Sequence, residues 1–218
     1  IDFSDLINEA NRILEVKDKK TLEMFNFKYI LVDEFQDISK NREKLIKNLL
    51  DLNQNSKLFA VGDDWQSIYR FSGSDIRLMT DFKNRFHPKE TKRNFIDETH
   101  RFPKEISDLA SEFIQENPQQ IPKSIKASKK LGKISFCQIE KYSIEDIKRI
   151  LDRIPLNESS IEKGVFIIYR NKNNVPDIID EEKFKDLQKY REDLDLKISS
   201  IHGVKGLEND IVIVLGLD

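Results

Sequence analysis

The sequence predicts an α/β protein made of two parallel-sheet units. Short apolar runs of strand length alternate with segments whose apolar residues recur at helical spacing, the order that builds βαβ units. Two of these runs, 27–32 and 57–62, stop abruptly at the acid pairs Asp33-Glu34 and Asp63-Asp64. Between the halves the composition changes. Residues 117–132 hold Pro118, Pro122, Gly132, Lys126, Lys129 and Lys130, and read as a linker. The units are therefore expected at 1–120 and 133–218, joined by 121–132.

Each element follows from local pattern. Phe3, Leu6, Ile7, Ala10, Ile13 and Leu14 repeat at helical spacing behind Asp2, a capping residue, so 3–15 is a helix. The run ending at Val32 is a short buried strand. Leu45, Leu49, Leu50 and Leu52 mark a helix over 38–52, which Asp37 would cap if the acids before it form a plain turn. A second buried strand ends at Gly62. Ile76, Leu78, Met79, Phe82 and Phe86 place a helix over 75–86, a weaker strand follows near 91–95, and Pro103 opens a helix to 116. In the second half, strands are expected at 133–139, 164–169, 196–201 and 210–215, and helices at 143–154 and 177–191.

Composition removes several classes of function. Among 218 residues, Lys and Arg number 37 against 39 Asp and Glu, a formal net charge of −2. That excludes a globally basic nucleic-acid binder and leaves a local basic or aromatic groove open. Hydrophobic residues make up 38% with 14 Phe, enough for a core. One cysteine, Cys137, excludes an internal disulfide; with three scattered His it also excludes a Cys/His zinc cluster. This usage fits a reducing, cytoplasmic compartment. No apolar run nears the ~20 residues of a membrane span. Ile1 in place of Met, and an apolar run at the other end, are the expected marks of a fragment. Lys123, Lys126, Lys129 and Lys130 read as a solvated linker, Cys137 as a small buried hydrophobe, and His87 beside Pro88 as a surface turn.

Two segments carry chemistry. In Ile30-Leu31-Val32-Asp33-Glu34-Phe35-Gln36-Asp37 a strand delivers adjacent carboxylates at its C-terminal end, where open α/β sheets bind ligands. One acid can hold Mg²⁺ while the next acts as base on a water. A plain acidic strand-to-helix turn is the alternative. In Gly62-Asp63-Asp64-Trp65-Gln66-Ser67-Ile68-Tyr69-Arg70-Phe71-Ser72-Gly73, three aromatics flank a polar loop. They form a base-stacking platform, or Trp65 or Phe71 belongs to the core.

These segments, with Thr99-His100-Arg101-Phe102, Ser200-Ile201-His202-Gly203-Val204-Lys205-Gly206-Leu207-Glu208 and the opening Asp2-Phe3-Ser4-Asp5-Leu6, resemble UvrD/Rep-type superfamily 1 DNA helicases, most closely the helicase IV branch. The resemblance spans nearly the whole chain, with the motifs in the family's order. It implies two RecA-like, P-loop-NTPase-like parallel-sheet units, both incomplete. It implies ATP as substrate with Mg²⁺, and single-stranded DNA and duplex junctions as partners, for a 3′–5′ helicase that favours a monomer. Asp33 resembles the Mg²⁺-coordinating acid and Glu34 the base. Gln66 resembles the γ-phosphate sensor and Arg101 the γ-phosphate arginine. Gln36 and Asp37 resemble the coupling network. Glu208 resembles the ribose-binding acid, and His100 stands in the nucleotide-side set where the family usually has Tyr. Tyr69, Phe71, Ser200 and His202 resemble residues that meet DNA.

The departures are specific. No G-x-x-x-x-G-K-[ST] occurs: Gly132-Lys133 is followed by Ile134, and Ala127 stands where the first Gly belongs. Ser72 replaces a usual Arg and Asn209 a usual Phe. The fragment alone is therefore expected to be inactive. The alternative function is a helicase-like scaffold or DNA-binding module of a nuclease or recombination protein, which a P-loop lysine elsewhere in the gene would exclude.

Overall fold

A computed structural model describes residues 2–53, 55–86, 90–129, 132–139, 142–156, 163–174 and 180–216. His87 and Lys130 lie outside them, as do residues 177–179 of the expected helix. The chain divides into two compact units, Ile1–Gly132 and Lys133–Asp218. Among the described residues, every strand pair in either unit is parallel.

In the first unit, α1 (Phe3–Val16) opens with a reciprocal cap. The Asp2 carboxylate accepts from Asp5 N at 2.9 Å, and Asp5 accepts from Asp2 N at 3.0 Å. Its expected apolar stripe is only partly buried: Leu14 is buried, whereas Phe3 and Leu6 are exposed. Asparagines supply much of the contact with α3 (Lys40–Leu52). Asn11 donates to Asn41 O at 3.1 Å and accepts from Asn48 at 3.0 Å. A short α2 (Lys19–Met24) leads to β1 (Tyr29–Val32), which pairs in register with β2 (Lys57–Ala60), Ile30 beside Leu58 and Val32 beside Ala60. Ile30, Phe35, Ile38, Ile46, Leu50 and Leu78 form the core. Phe35 meets Phe82 and Phe86 edge-on, at centroid distances of 5.2 and 5.7 Å.

Several expectations change here. Ser39, not Asp37, is the N-cap of α3. The helix expected over 75–86 breaks at Asp81 into α4 (Arg77–Thr80) and α5 (Phe82–Phe86). No strand forms at 91–95. Instead β3 (Glu98–Pro103) pairs with β4 (Lys126–Lys129), with an irregularity between Thr99 and Pro103, and α6 (Lys104–Gln115) lies between them. Part of the stretch read as a linker, Lys126–Lys129, is thus a strand of the first unit.

The second unit is a three-stranded sheet. β5 (Lys163–Tyr169) runs between β6 (Leu194–Ser200) and β7 (Ile211–Leu215), flanked by α7 (Ile144–Leu151) and α8 (Glu181–Tyr190). As the central strand of a parallel sheet, β5 is buried on both faces and reads as a continuous apolar run. Ile147, Leu151, Val165, Ile167, Leu187, Leu196 and Ile213 belong to its core. The buried Arg191 holds Asp193 with two bonds of 2.7 Å and caps α7 through the carbonyls of Leu151 and Ile154. Residues 133–139, expected as a strand, have no regular structure. The whole is a mixed α/β fold with small parallel sheets, compatible with a RecA-like helicase fold.

One ion pair near α4 sets a pH dependence. Arg77 donates to both oxygens of Asp75 at 2.8 Å, and these bonds hold the Asp75 carboxyl down from 3.8 to about 2. A lowered carboxylate pKa stabilises the fold above the unfolded value and loses that contribution as pH falls through the folded value. Stability should therefore fall between about pH 4 and pH 2, and Asp75→Asn should flatten that limb of a thermal-midpoint profile. An unchanged acid limb in the variant would show that this pair contributes nothing.

Candidate functional site

The ends of β1 and β2 place the first set of functional residues. The ladder continues past β2, with Val61 N donating to Val32 O and Phe35 N to Val61 O, each at 2.9 Å. Phe35 turns into the core, so the backbone must reverse at Glu34. Glu34 adopts φ 49° and ψ 44°, a left-handed conformation that costs a non-glycine residue about 1–2 kcal/mol. The Asp33 carboxylate supports that turn, accepting from Glu34 N at 2.8 Å. Both side chains are exposed at the strand end.

Gln36 joins this turn to the next one. It is buried, 1% exposed, and its amide uses both ends. Nε2 donates to Glu34 Oε2, and Oε1 accepts from Asp63 N at 2.9 Å. Asp63 in turn accepts from Gln66 Nε2 at 2.8 Å. Glu34, Gln36, Asp63 and Gln66 are therefore one hydrogen-bonded cluster, with Asp33 adjacent to it. Asp37 closes the same turn through its backbone N, which donates to Glu34 O at 2.9 Å. Gly62 makes the approach possible: a Cβ there would lie 2.6 Å from Gln36 Oε1 and 3.0 Å from Phe35 N.

The aromatic loop follows directly. Tyr69 and Phe71 stand 6.1 Å apart with rings tilted by 58°, and Phe71 is 75% exposed. Gly73, at φ 91°, closes the loop, and the Ser72 hydroxyl donates to Tyr69 O at 2.9 Å. Trp65 does not join this pair. Its Nε1 donates to Ile121 O at 3.2 Å, which makes it an anchor for residues 120–123.

Sequence reasoning missed the cation that accompanies Trp65. Lys123 bonds both Asp63 and Asp64, the latter at 2.7 Å, and lies 4.8 Å above the Trp65 ring. Asp64 is fully buried and also accepts from Ile121 N at 2.6 Å. The available signal was the doubled acid itself. One acid of Asp63-Asp64 points inward beside a tryptophan, and a buried carboxylate needs a cation.

The remaining site residues lie elsewhere. His100 and Arg101 are exposed on β3, in the sheet with β4, rather than at the ends of β1 and β2. His100 Nδ1 pairs with the Ser128 hydroxyl at 2.8 Å. In the second unit Ser200 ends β6, and its hydroxyl accepts from Gly203 N at 3.2 Å. His202 lies half-buried in the following turn, and Glu208 is exposed just before β7. Asn209 packs on Gly164, where an added Cβ would lie 1.7 Å from Asn209 Oδ1.

Mg²⁺ suits Asp33. This ion binds through one or two carboxylates plus substrate phosphates rather than a full protein cage. An exposed carboxylate with a single backbone donor on one oxygen meets that need. Among the described residues no cluster of three or more His, Cys, Asp or Glu side chains is arranged for a metal. No helix among them is long and apolar enough to cross a membrane.

Parallel strands ending in acids, followed by an aromatic loop, define a mixed α/β protein with small parallel sheets. Residues 1–87 match the UvrD/REP helicase N-terminal domain. The chain is 36% identical over 217 residues, its full length, to DNA helicase IV of Escherichia coli (strain K12), and covers 30% of that protein. It is 36% identical over 127 residues to ATP-dependent DNA helicase PcrA of Staphylococcus epidermidis, covering 57% of this chain and 17% of that one. The PcrA of Staphylococcus aureus aligns over the same length at 35%. The chain is thus similar over its full length to helicases of the UvrD/Rep type, and it spans less than a third of the relatives it matches.

Gly62→Ala tests the cluster. The methyl must displace the Gln36 amide or the backbone at Phe35, and either breaks a buried hydrogen bond. A loss of about 1–3 kcal/mol is expected in denaturant titration. Wild-type stability would mean that the turn tolerates the added carbon.

Proposed function

We propose that the protein carrying this chain is an ATP-dependent DNA helicase that moves 3′–5′ on single-stranded DNA and unwinds duplex junctions. The two units are read as portions of two RecA-like domains, acting in a cytoplasmic monomer. The observation that carries this reading is the Glu34–Gln36–Asp63–Gln66 cluster beside Asp33, in a chain that aligns end to end with a DNA helicase.

The roles are those the family resemblance implies, and the geometry of the first unit supports some of them. Asp33 would hold Mg²⁺, whose charge offsets that of the transferring phosphoryl group. Gln36 donates to Glu34 Oε2, which orients the carboxylate assigned to take a proton from the attacking water. Gln66, steadied by Asp63, presents an amide to the terminal phosphate, and Arg101 offers a planar cation to the same group. In the second unit Glu208 is assigned to the ribose hydroxyls, and Ser200 and His202 to DNA. Exposed Phe71 beside Tyr69 offers rings on which bases can stack.

In the full-length protein, Glu34→Gln keeps size and hydrogen bonding while removing the base. Steady-state ATPase assays should show kcat lowered by roughly 10²–10⁴ with nucleotide affinity within a few-fold. Asp33→Asn should weaken Mg²⁺-dependent binding and turnover together. A near-normal kcat for Glu34→Gln would make the acids structural.

Tyr69→Ala should weaken single-strand binding, since stacking contributes about 1–3 kcal/mol per base. Fluorescence titration with an oligonucleotide measures it, and unchanged affinity in a folded variant would move Tyr69 out of the DNA site.

A further inference from the structure

Lys123 has no part in the roles above, and no motif of the sequence includes it. Its environment is unusual for a lysine. The side chain is 14% exposed, and its ammonium is shared by Asp63 and Asp64 over the face of Trp65. Asp64 explains why the cation is there. A fully buried carboxylate is stable only with an opposite charge and further hydrogen bonds, which Lys123 and Ile121 N supply. Asp63 has no such need, because it is partly exposed, yet Lys123 bonds it as well.

That second bond leads into the candidate catalytic cluster. Lys123 fixes Asp63 Oδ1, which leaves Oδ2 to accept from Gln66 Nε2. The backbone N of Asp63 bonds Gln36, and Gln36 bonds Glu34. A continuous hydrogen-bonded path thus runs from residues 121–123 to both Gln66 and Glu34, entirely within the first unit. Without Lys123, Asp63 Oδ1 would keep only the longer bond from Trp65 N, 3.2 Å, and the acceptor of the Gln66 amide would be held less firmly.

We propose that Lys123 is a positioning residue for ATP hydrolysis, acting through Asp63 on Gln66 and Glu34. It clamps the segment at 121–123 onto the cluster, so displacement of that segment changes turnover without touching nucleotide. This rests on the assignment of Glu34 and Gln66 to hydrolysis.

The test is kinetic and uses the full-length protein. Lys123→Met should lower the ATPase kcat about ten- to hundredfold with KM for ATP within about twofold, the pattern of a misplaced catalytic group. Lys123→Arg, which keeps the charge and can bond both carboxylates, should restore most of it. Gln66→Ala combined with Lys123→Met should lose little more than Gln66→Ala alone, because both act on one path. If Lys123→Met does not fold, Lys123→Met with Asp64→Asn removes both buried charges and leaves Asp63 without its clamp; the same fall in kcat is expected. A wild-type kcat in folded Lys123 variants, additive losses with Gln66→Ala, or no rescue by arginine would overturn the proposal while Glu34→Gln still abolishes turnover. Normal turnover in both Glu34→Gln and Gln66→Ala would overturn the assignment of the cluster, and the proposal with it.

Discussion

The buried amide of Gln36 ties together the ends of β1 and β2, and the geometry of the first unit's site depends on it. Two four-residue strands in parallel give little rigidity of their own. A side chain that donates to Glu34 and accepts from the Asp63 backbone converts two strand ends into one rigid rim. Such a group must be fully satisfied, because a buried amide with one open end is costly. That requirement explains the neighbouring features. Gly62 has no side chain because the amide occupies its Cβ position, and Glu34 takes a left-handed turn because Phe35 must enter the core as Gln36 turns under the rim.

Buried charge is handled by the same principle in both units, with different partners. In the first, Asp64 is balanced by Lys123 from a segment some sixty positions away. In the second, Arg191 is balanced by Asp193 two positions on, and spends its remaining donors on carbonyls at the end of α7. The long-range pair joins separate elements, whereas the short-range one closes a helix end. Removing either partner of such a pair leaves a buried charge, a more damaging change than loss of an exposed ion pair.

Much of the local chemistry was legible from neighbours in sequence, though the break at Asp81 was not. The acid-terminated strands β1 and β2, the capping residue Asp2, the helix opened by Pro103 and the apolar run Val165–Tyr169 of β5 all follow from short patterns. Errors fell where a distant partner decides. β3, Glu-Thr-His-Arg-Phe-Pro, has no apolar run and forms because β4 lies beside it. The segment holding β4 looked like a linker because its lysines and prolines carry no sign of Asp64. Half of the α1 stripe stays exposed because asparagines carry much of its contact with α3.

The sequence by itself determined the α/β class, the family resemblance, the order of the motifs and the acids at the strand ends. These are set by periodicity, by turn chemistry and by residue identity, all of which are local. Only the tertiary structure decided that Gln36 and Asp63 share a hydrogen bond, that Trp65 is an anchor while Phe71 is exposed, and that Lys123 belongs to the site. Each of these turns on a donor meeting an acceptor, or a ring meeting a cation, from a segment tens of residues away. A buried polar group states that it needs a partner, but folding chooses which one.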